Sequence, residues 1–72
     1  MSFGVVLFYT TSSVMRAEKV LLGKGFNIKL IPTPRQFSSD CGIALRFDWD
    51  EYDRIRQVLD LTYVETENIY MM

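Results

Sequence analysis

The apolar run from Gly4 to Tyr9 limits the folds open to this 72-residue chain. It is rich in β-branched and aromatic residues, and it lacks the polar alternation of a strand that has one face in water. We therefore expect a central strand that is buried on both faces. A chain of this length has room for one domain, residues 1–72, and its core must form around this strand.

Two segments have the pattern of capped amphipathic helices. The polar cluster from Thr10 to Ser13 offers N-cap hydroxyls, and apolar residues then recur at helical spacing until Gly23. The second helix is predicted to begin at Asp48, with Glu51 at the capping-box position. Each segment therefore predicts one helix with a single apolar face.

Three further strands are predicted. The segment from Asn27 to Ile31 is the second strand, and Pro32 and Pro34 should end it because neither can donate to a sheet ladder. The segment 42–47 alternates apolar and other residues as a strand does. The segment 64–70 closes the chain as the last strand.

The resulting order of elements is βαββαβ, the ferredoxin-like arrangement. It is an α+β fold with two helices on one face of a four-stranded antiparallel sheet. Right-handed crossovers favour the strand order 4-1-3-2. The other sheet face carries no helix, and we expect Phe8 and Tyr9 to lie uncovered on it. A homodimer formed through that face would bury them.

Charge and apolar patterning argue against two classes of partner. Eight basic and nine acidic residues give a formal charge of -1, whereas a nucleic-acid surface needs clustered basic residues. We therefore expect no nucleic acid. The longest apolar stretch is much shorter than the roughly 20 residues of a membrane span, so we expect no membrane partner.

The chain has no histidine and one cysteine. This composition excludes the usual zinc ligand sets and the Cys-His and Ser-His arrangements of nucleophilic catalysis. No metal and no cofactor are expected. A small domain that cannot form an internal disulfide also suits a reducing compartment, which predicts a cytoplasmic location.

The one cysteine, Cys41, lies in the long connection between the second and third strands. This connection exceeds the length of a hairpin loop, and long loops are often functional. The topology places it beside the start of the first helix, where unpaired N–H groups favour a thiolate. We expect the loop to expose Cys41. Six residues of the loop and of the first helical turn are candidates for binding a thiolate, persulfide or oxyanion: Arg35, Ser38, Ser39, Gly42, Thr11 and Ser12.

These residues also have plain structural interpretations. A lone cysteine at the start of a strand is often a small buried hydrophobe. Asp40 beside it disfavours a thiolate, and Gly42 could serve only a turn or bulge. An alternative function is a non-catalytic module that binds an anionic ligand or a partner protein through the Arg35 loop and the N-terminus of the first helix.

Three motifs in order add a resemblance to these patterns. They are Met15 to Lys19 (MRAEK), Ile31 to Arg35 (IPTPR) and Ser38 to Phe47 (SSDCGIALRF). Together they closely resemble the family of selenium/sulfur carrier-like proteins, and the resemblance covers nearly the whole chain.

The resemblance implies that Cys41 is the carrying thiol. It would take a sulfane sulfur or a selenium atom from a donor protein such as a cysteine desulfurase, and hold it as a persulfide or selenylsulfide. Arg35, Ser38 and Ser39 would stabilise the anion, with help from Arg16. Any resolving thiol must come from a partner, and any activity would be that of a low-turnover sulfurtransferase.

Overall fold

The computed structural model describes residues 2–37 and 41–72. Its elements follow the predicted order and confirm the α+β class. In chain order they are strand β1 (Phe3–Leu7), helix α1 (Thr11–Gly23), strand β2 (Ile28–Pro32), strand β3 (Ile43–Asp48), helix α2 (Tyr52–Leu61) and strand β4 (Asn68–Met71).

The four strands form one antiparallel sheet in the order β2-β3-β1-β4, which counted from the β4 edge is 4-1-3-2. Strand β3 pairs with β1 and β2, and β1 also pairs with β4. We call the end where β1 finishes at Leu7 and β3 starts at Ile43 the upper end. The lower end is the one where β1 starts at Phe3 and β3 finishes at Asp48.

Both helices pack on the same face of this sheet. Phe8 lies in the resulting core and is fully buried, so the expectation that it lies uncovered on the opposite face is wrong. It follows Val6 by two positions and therefore shares its side of the strand. Burial of each large apolar side chain contributes roughly 1.5–3 kcal/mol, which makes this cluster the main stabilising feature. The buried partners in it are Val6, Val14, Ala17, Leu21, Leu45, Phe47, Ile55 and Leu59.

The opposite face, which we call the open face, is not bare. Val5, Leu7 and Ala44 lie on it and are almost fully buried. Phe37, from the segment after β2, packs against them and stacks on Tyr70 of β4, with ring centroids 4.6 Å apart and an interplanar angle of 7°. Val5, Leu7 and Ala44 are therefore buried within one chain, whereas Phe3 and Tyr70 on the same face remain partly exposed.

Both helices end with a residue in the left-handed region. After α1 this residue is Gly25, with φ +86°, and after α2 it is Tyr63, with φ +56°. The Val64 N–H then donates to the Leu59 carbonyl at 3.0 Å, which completes the C-terminal motif of α2. A left-handed conformation costs a non-glycine residue roughly 1–2 kcal/mol. Tyr63 is 87% exposed, so packing of its ring does not offset that cost.

Several predicted boundaries are wrong. β1 ends at Leu7 rather than Tyr9, and β2 includes Pro32. The two largest differences are at the starts of α2 and β4. Asp48 does act as a cap, since its carboxylate accepts from the Asp50 N–H at 3.3 Å, but the residues that follow form a 3-10 turn, Trp49–Glu51. Helix α2 therefore begins only at Tyr52. Strand β4 begins at Asn68 rather than at residue 64, because the preceding residues close the end of α2.

Neither helix in the described part of the chain is long and apolar enough to cross a membrane.

Candidate functional site

Cys41 lies at the upper end, two residues before β3 begins. It is 4% exposed and belongs to the core cluster that also contains Phe8 and Val14. The prediction that its loop exposes it is therefore wrong. The physical reason is the two-residue period of a strand: Ile43 and Leu45 face the helices, and Cys41 continues that row.

The sheet topology supports the topological part of the prediction. β1 ends at the upper end, α1 begins directly after it, and β3 starts at the same end. Cys41, two residues before β3, therefore lies at the end of the domain where α1 begins. Its side chain is buried in the core there.

Two hydrogen bonds close the base of the loop, and we call this pair of bonds the neck. The Thr33 hydroxyl donates to the carbonyl oxygen of Cys41 at 2.8 Å, and the Thr33 N–H donates to the carbonyl oxygen of Gly42 at 3.0 Å. They hold the backbone at Cys41 and at the residue that follows it. The sequence reasoning did not select Thr33. The β2–β3 register identifies it, because Pro32 pairs with Ile43 and the next two residues to meet are Thr33 and Gly42.

Gly42 is exposed, and a Cβ placed on it would meet no atom within 4 Å. Crowding therefore does not require glycine at this position. The open space beside the Gly42 backbone would admit a ligand to the chain immediately after Cys41.

Arg35 is exposed in a tight turn, in which the Phe37 N–H donates to the Pro34 carbonyl at 3.0 Å. This segment packs on the open face through Phe37, whereas Cys41 faces the helices. The described structure thus places Arg35 on a segment that belongs to the other face of the sheet. The predicted anion ligands Ser38 and Ser39 lie outside the described residues.

The predicted anion-binding residues of α1 are Thr11, Ser12 and Arg16, and each has different surroundings at the upper end. Thr11 and Ser12 are exposed in the first turn, where the capping residue is Thr10, whose hydroxyl accepts from the Ser13 N–H at 3.2 Å. The Arg16 guanidinium donates to the carbonyl oxygen of Thr62 at 2.7 Å. Arg16 therefore joins α1 to the C-terminal end of α2, where a cation also offsets the helix dipole.

A buried cysteine beside a loop that two hydrogen bonds close can act as a nucleophile that is shielded from solvent. A thiolate attacks sulfur, selenium and carbon electrophiles, but a buried cysteine reacts only when its surroundings open. The neck holds the backbone at Cys41, and its opening would let the side chain move toward solvent. The neck consists of only two hydrogen bonds, and there is open space beside the neighbouring Gly42.

Comparison with models of protein families matches residues 3–71 to the family described as "Putative Se/S carrier protein-like". The chain belongs to this family. The match begins at the first residue of β1 and ends at the last residue of β4, so the Se/S carrier-like family unit and the folded domain coincide. No curated protein and no solved structure matches the chain.

Proposed function

We propose that this domain is a thiol-based carrier of sulfur or selenium, and that Cys41 holds the transferred atom. The observation that carries the proposal is membership of the Se/S carrier-like family over residues 3–71. Cys41 is the only cysteine of the chain, so it is the only thiol that could hold such an atom. We further assign the domain to the ferredoxin-like class, on the basis of its element order and its two helices on one sheet face.

Loading proceeds by thiol exchange. Cys41 loses its proton to solvent, and the Sγ thiolate attacks the outer sulfur of a persulfide on a donor protein such as a cysteine desulfurase. A new S–S bond forms at Cys41, the donor's S–S bond breaks, and the donor cysteine leaves as a thiolate. No external oxidant or reductant is consumed. A selenium atom would form a selenylsulfide in the same way, and unloading repeats the exchange with an acceptor thiol.

Burial of Cys41 gives the carrier a resting state and a loading state. In the resting state the sulfur lies in the core, where glutathione and other reductants of the cytoplasm cannot reach it. Loading requires the neck to open, so that the outer sulfur of the donor meets Sγ. Arg35, Ser38 and Ser39 would then stabilise the persulfide anion, with help from Arg16. For the two arginines this requires the loading state, because Arg35 otherwise lies on the segment that packs on the open face and Arg16 donates to the Thr62 carbonyl.

Intact-mass analysis tests the proposal. The protein is incubated with a cysteine desulfurase and cysteine, and a mass increase of one sulfur atom that a thiol reductant removes is expected. Cys41→Ala is the control, and it suits a buried site better than serine because it introduces no buried hydroxyl. The proposal fails if no donor produces the adduct, or if Cys41→Ala carries it as well.

A further inference from the structure

A pair of like charges lies at the lower end of the open face. Lys29 of β2 and Arg46 of β3 are directly opposite each other in the strand register. Side chains of such a pair leave the sheet on the same face, with Cβ atoms about 5 Å apart. Ala44, two residues from Arg46, identifies that face as the open one.

Neither cation forms a salt bridge. In the described part of the chain, the one salt bridge joins Arg54 to Glu51, and neither Lys29 nor Arg46 has an acidic side chain within 4.0 Å. Like charges directly opposite each other on neighbouring strands destabilise a sheet. The pair is therefore unfavourable for the unliganded fold, and an anion bound between the two side chains would remove the repulsion.

The two cations line a recess of about 170 Å³. Phe3 borders it as a 43% exposed ring, and the Arg46 guanidinium lies 4.4 Å above the centre of that ring. Asn27 and Asp48 add hydrogen-bonding groups to the lining. Aromatic rings and guanidinium planes are the surfaces on which nucleobases stack, and amide and carboxylate oxygens accept from base amino groups.

The formal net charge of the chain is -1, but the charged residues of the open face are mostly basic. Among the strand residues that point to it, Lys29 and Arg46 are basic and Asp48 is the acidic one. One oxygen of the Asp48 carboxylate caps the Asp50 N–H, and the other is the acceptor available to a base. Tyr70 lies two strand positions above Phe3, roughly 7 Å along the sheet. Phe37 already stacks on its ring, so a ligand on this face would meet Phe3 rather than Tyr70.

We propose that the lower end of the open face binds a nucleotide, with its phosphate between Lys29 and Arg46 and its base against Phe3. The combination of two cations, an exposed ring and acceptor groups matches a nucleotide better than an acidic peptide, which has no base to stack. The nucleotide is either a free one or one unit of a single strand.

This site is separate from the proposed carrier site. Arg46 is five positions along β3 from Cys41, roughly 17 Å in an extended strand, and it faces the other side of the sheet. The two proposals therefore fail independently.

Amide spectra of the isotope-labelled full chain test the inference. Saturable shifts at Phe3, Lys29 and Arg46 are expected on titration with UMP, with AMP or with a short oligouridylate, and weaker shifts with inorganic phosphate. Lys29→Gln should weaken nucleotide binding roughly tenfold, the usual loss for one charge-assisted contact. Lys19→Gln is the matched control, because Lys19 is an exposed lysine of α1 and α1 covers the other face.

The titration also separates the two sources of nucleotide. Tighter binding of the oligouridylate than of UMP supports a single strand, whereas equal affinity supports a free nucleotide. The inference is overturned if no nucleotide gives saturable shifts, or if phosphate alone or polyglutamate binds as tightly as UMP. It is also overturned if Lys19→Gln loses as much affinity as Lys29→Gln.

Discussion

The upper and lower ends of the sheet differ in how accessible the residues of their proposed sites are to solvent. At the upper end, Cys41 is 4% exposed, and Thr33 holds the backbone at Cys41 and Gly42. At the lower end, Lys29 and Arg46 line a surface recess of about 170 Å³. The difference suits the two proposed chemistries: a covalent cargo must be shielded between transfers, whereas reversible binding needs a preformed surface.

The substitution Gly4→Ala should have the largest effect, and it tests whether the lower end is rigid. A Cβ on Gly4 would overlap the ring of Phe47 and come within 2.6 Å of the Trp49 ring. Overpacking of this kind costs about 1–3 kcal/mol of unfolding free energy, which urea denaturation would measure. Gly23→Ala is the control, since a Cβ there meets nothing within 4 Å. Equal stability of the two variants would show that the lower end adapts.

At the upper end, Tyr63→Gly should stabilise the domain by about 1 kcal/mol, because relief of the left-handed cost exceeds the entropy that glycine loses on folding. The reason is the left-handed backbone of Tyr63 at the end of α2, near the Arg16–Thr62 contact. Its ring is exposed, so little packing is lost with it. The melting temperature of the variant is the measurement. A lower melting temperature would mean that the ring contributes to stability after all.

The substitution Thr33→Val tests whether Cys41 is reached by opening of the neck. It keeps the shape of the side chain and removes the hydroxyl bond to the Cys41 carbonyl. A bond of this kind is worth about 1 kcal/mol, so alkylation of Cys41 should accelerate about fivefold.

Thr62→Val is the matched control for that experiment, because it also removes a 2.8 Å hydroxyl bond to a carbonyl, but at the end of α2. It should leave the alkylation rate close to that of the wild type. If both variants accelerate alkylation equally, Cys41 is reached by unfolding of the whole domain and the neck has no special role.

The smallest expected effect belongs to the lower end. Lys29→Gln should raise the unfolding free energy by about 0.2–1 kcal/mol, because it removes the like-charge repulsion with Arg46. The gain should shrink at high salt, which screens exposed charges. Urea denaturation at two salt concentrations checks both statements. A loss of stability would show that Lys29 has a favourable partner in the folded protein.

Local patterns predicted the framework of the domain well. The alternation from Ile43 to Phe47 correctly assigned β3 and its two faces, and the apolar run near the start of the chain correctly predicted a strand buried on both sides. Such patterns need only the period of a strand. The motif around Cys41 led to the same family that the family comparison identified.

The features that the sequence did not reveal depend on contacts between distant residues. Phe37 covers the open face only because Tyr70, far along the chain, lies beneath it. The opposition of Lys29 and Arg46 follows from the β2–β3 register. The inward direction of Cys41 depends on where β3 begins, and a loop that looks exposed in sequence gave no sign of it.

Delivery of the cargo tests the carrier proposal most directly. The protein is loaded with radioactive sulfur from a desulfurase, separated from the donor, and then mixed with an acceptor protein that has an exposed thiol. The account predicts that the label leaves Cys41 and appears on the acceptor as a reducible persulfide, with no transfer from a Cys41→Ala sample treated in the same way. Label that stays on Cys41 until a strong reductant releases it would contradict the account, because a modified cysteine that cannot deliver its atom is not a carrier.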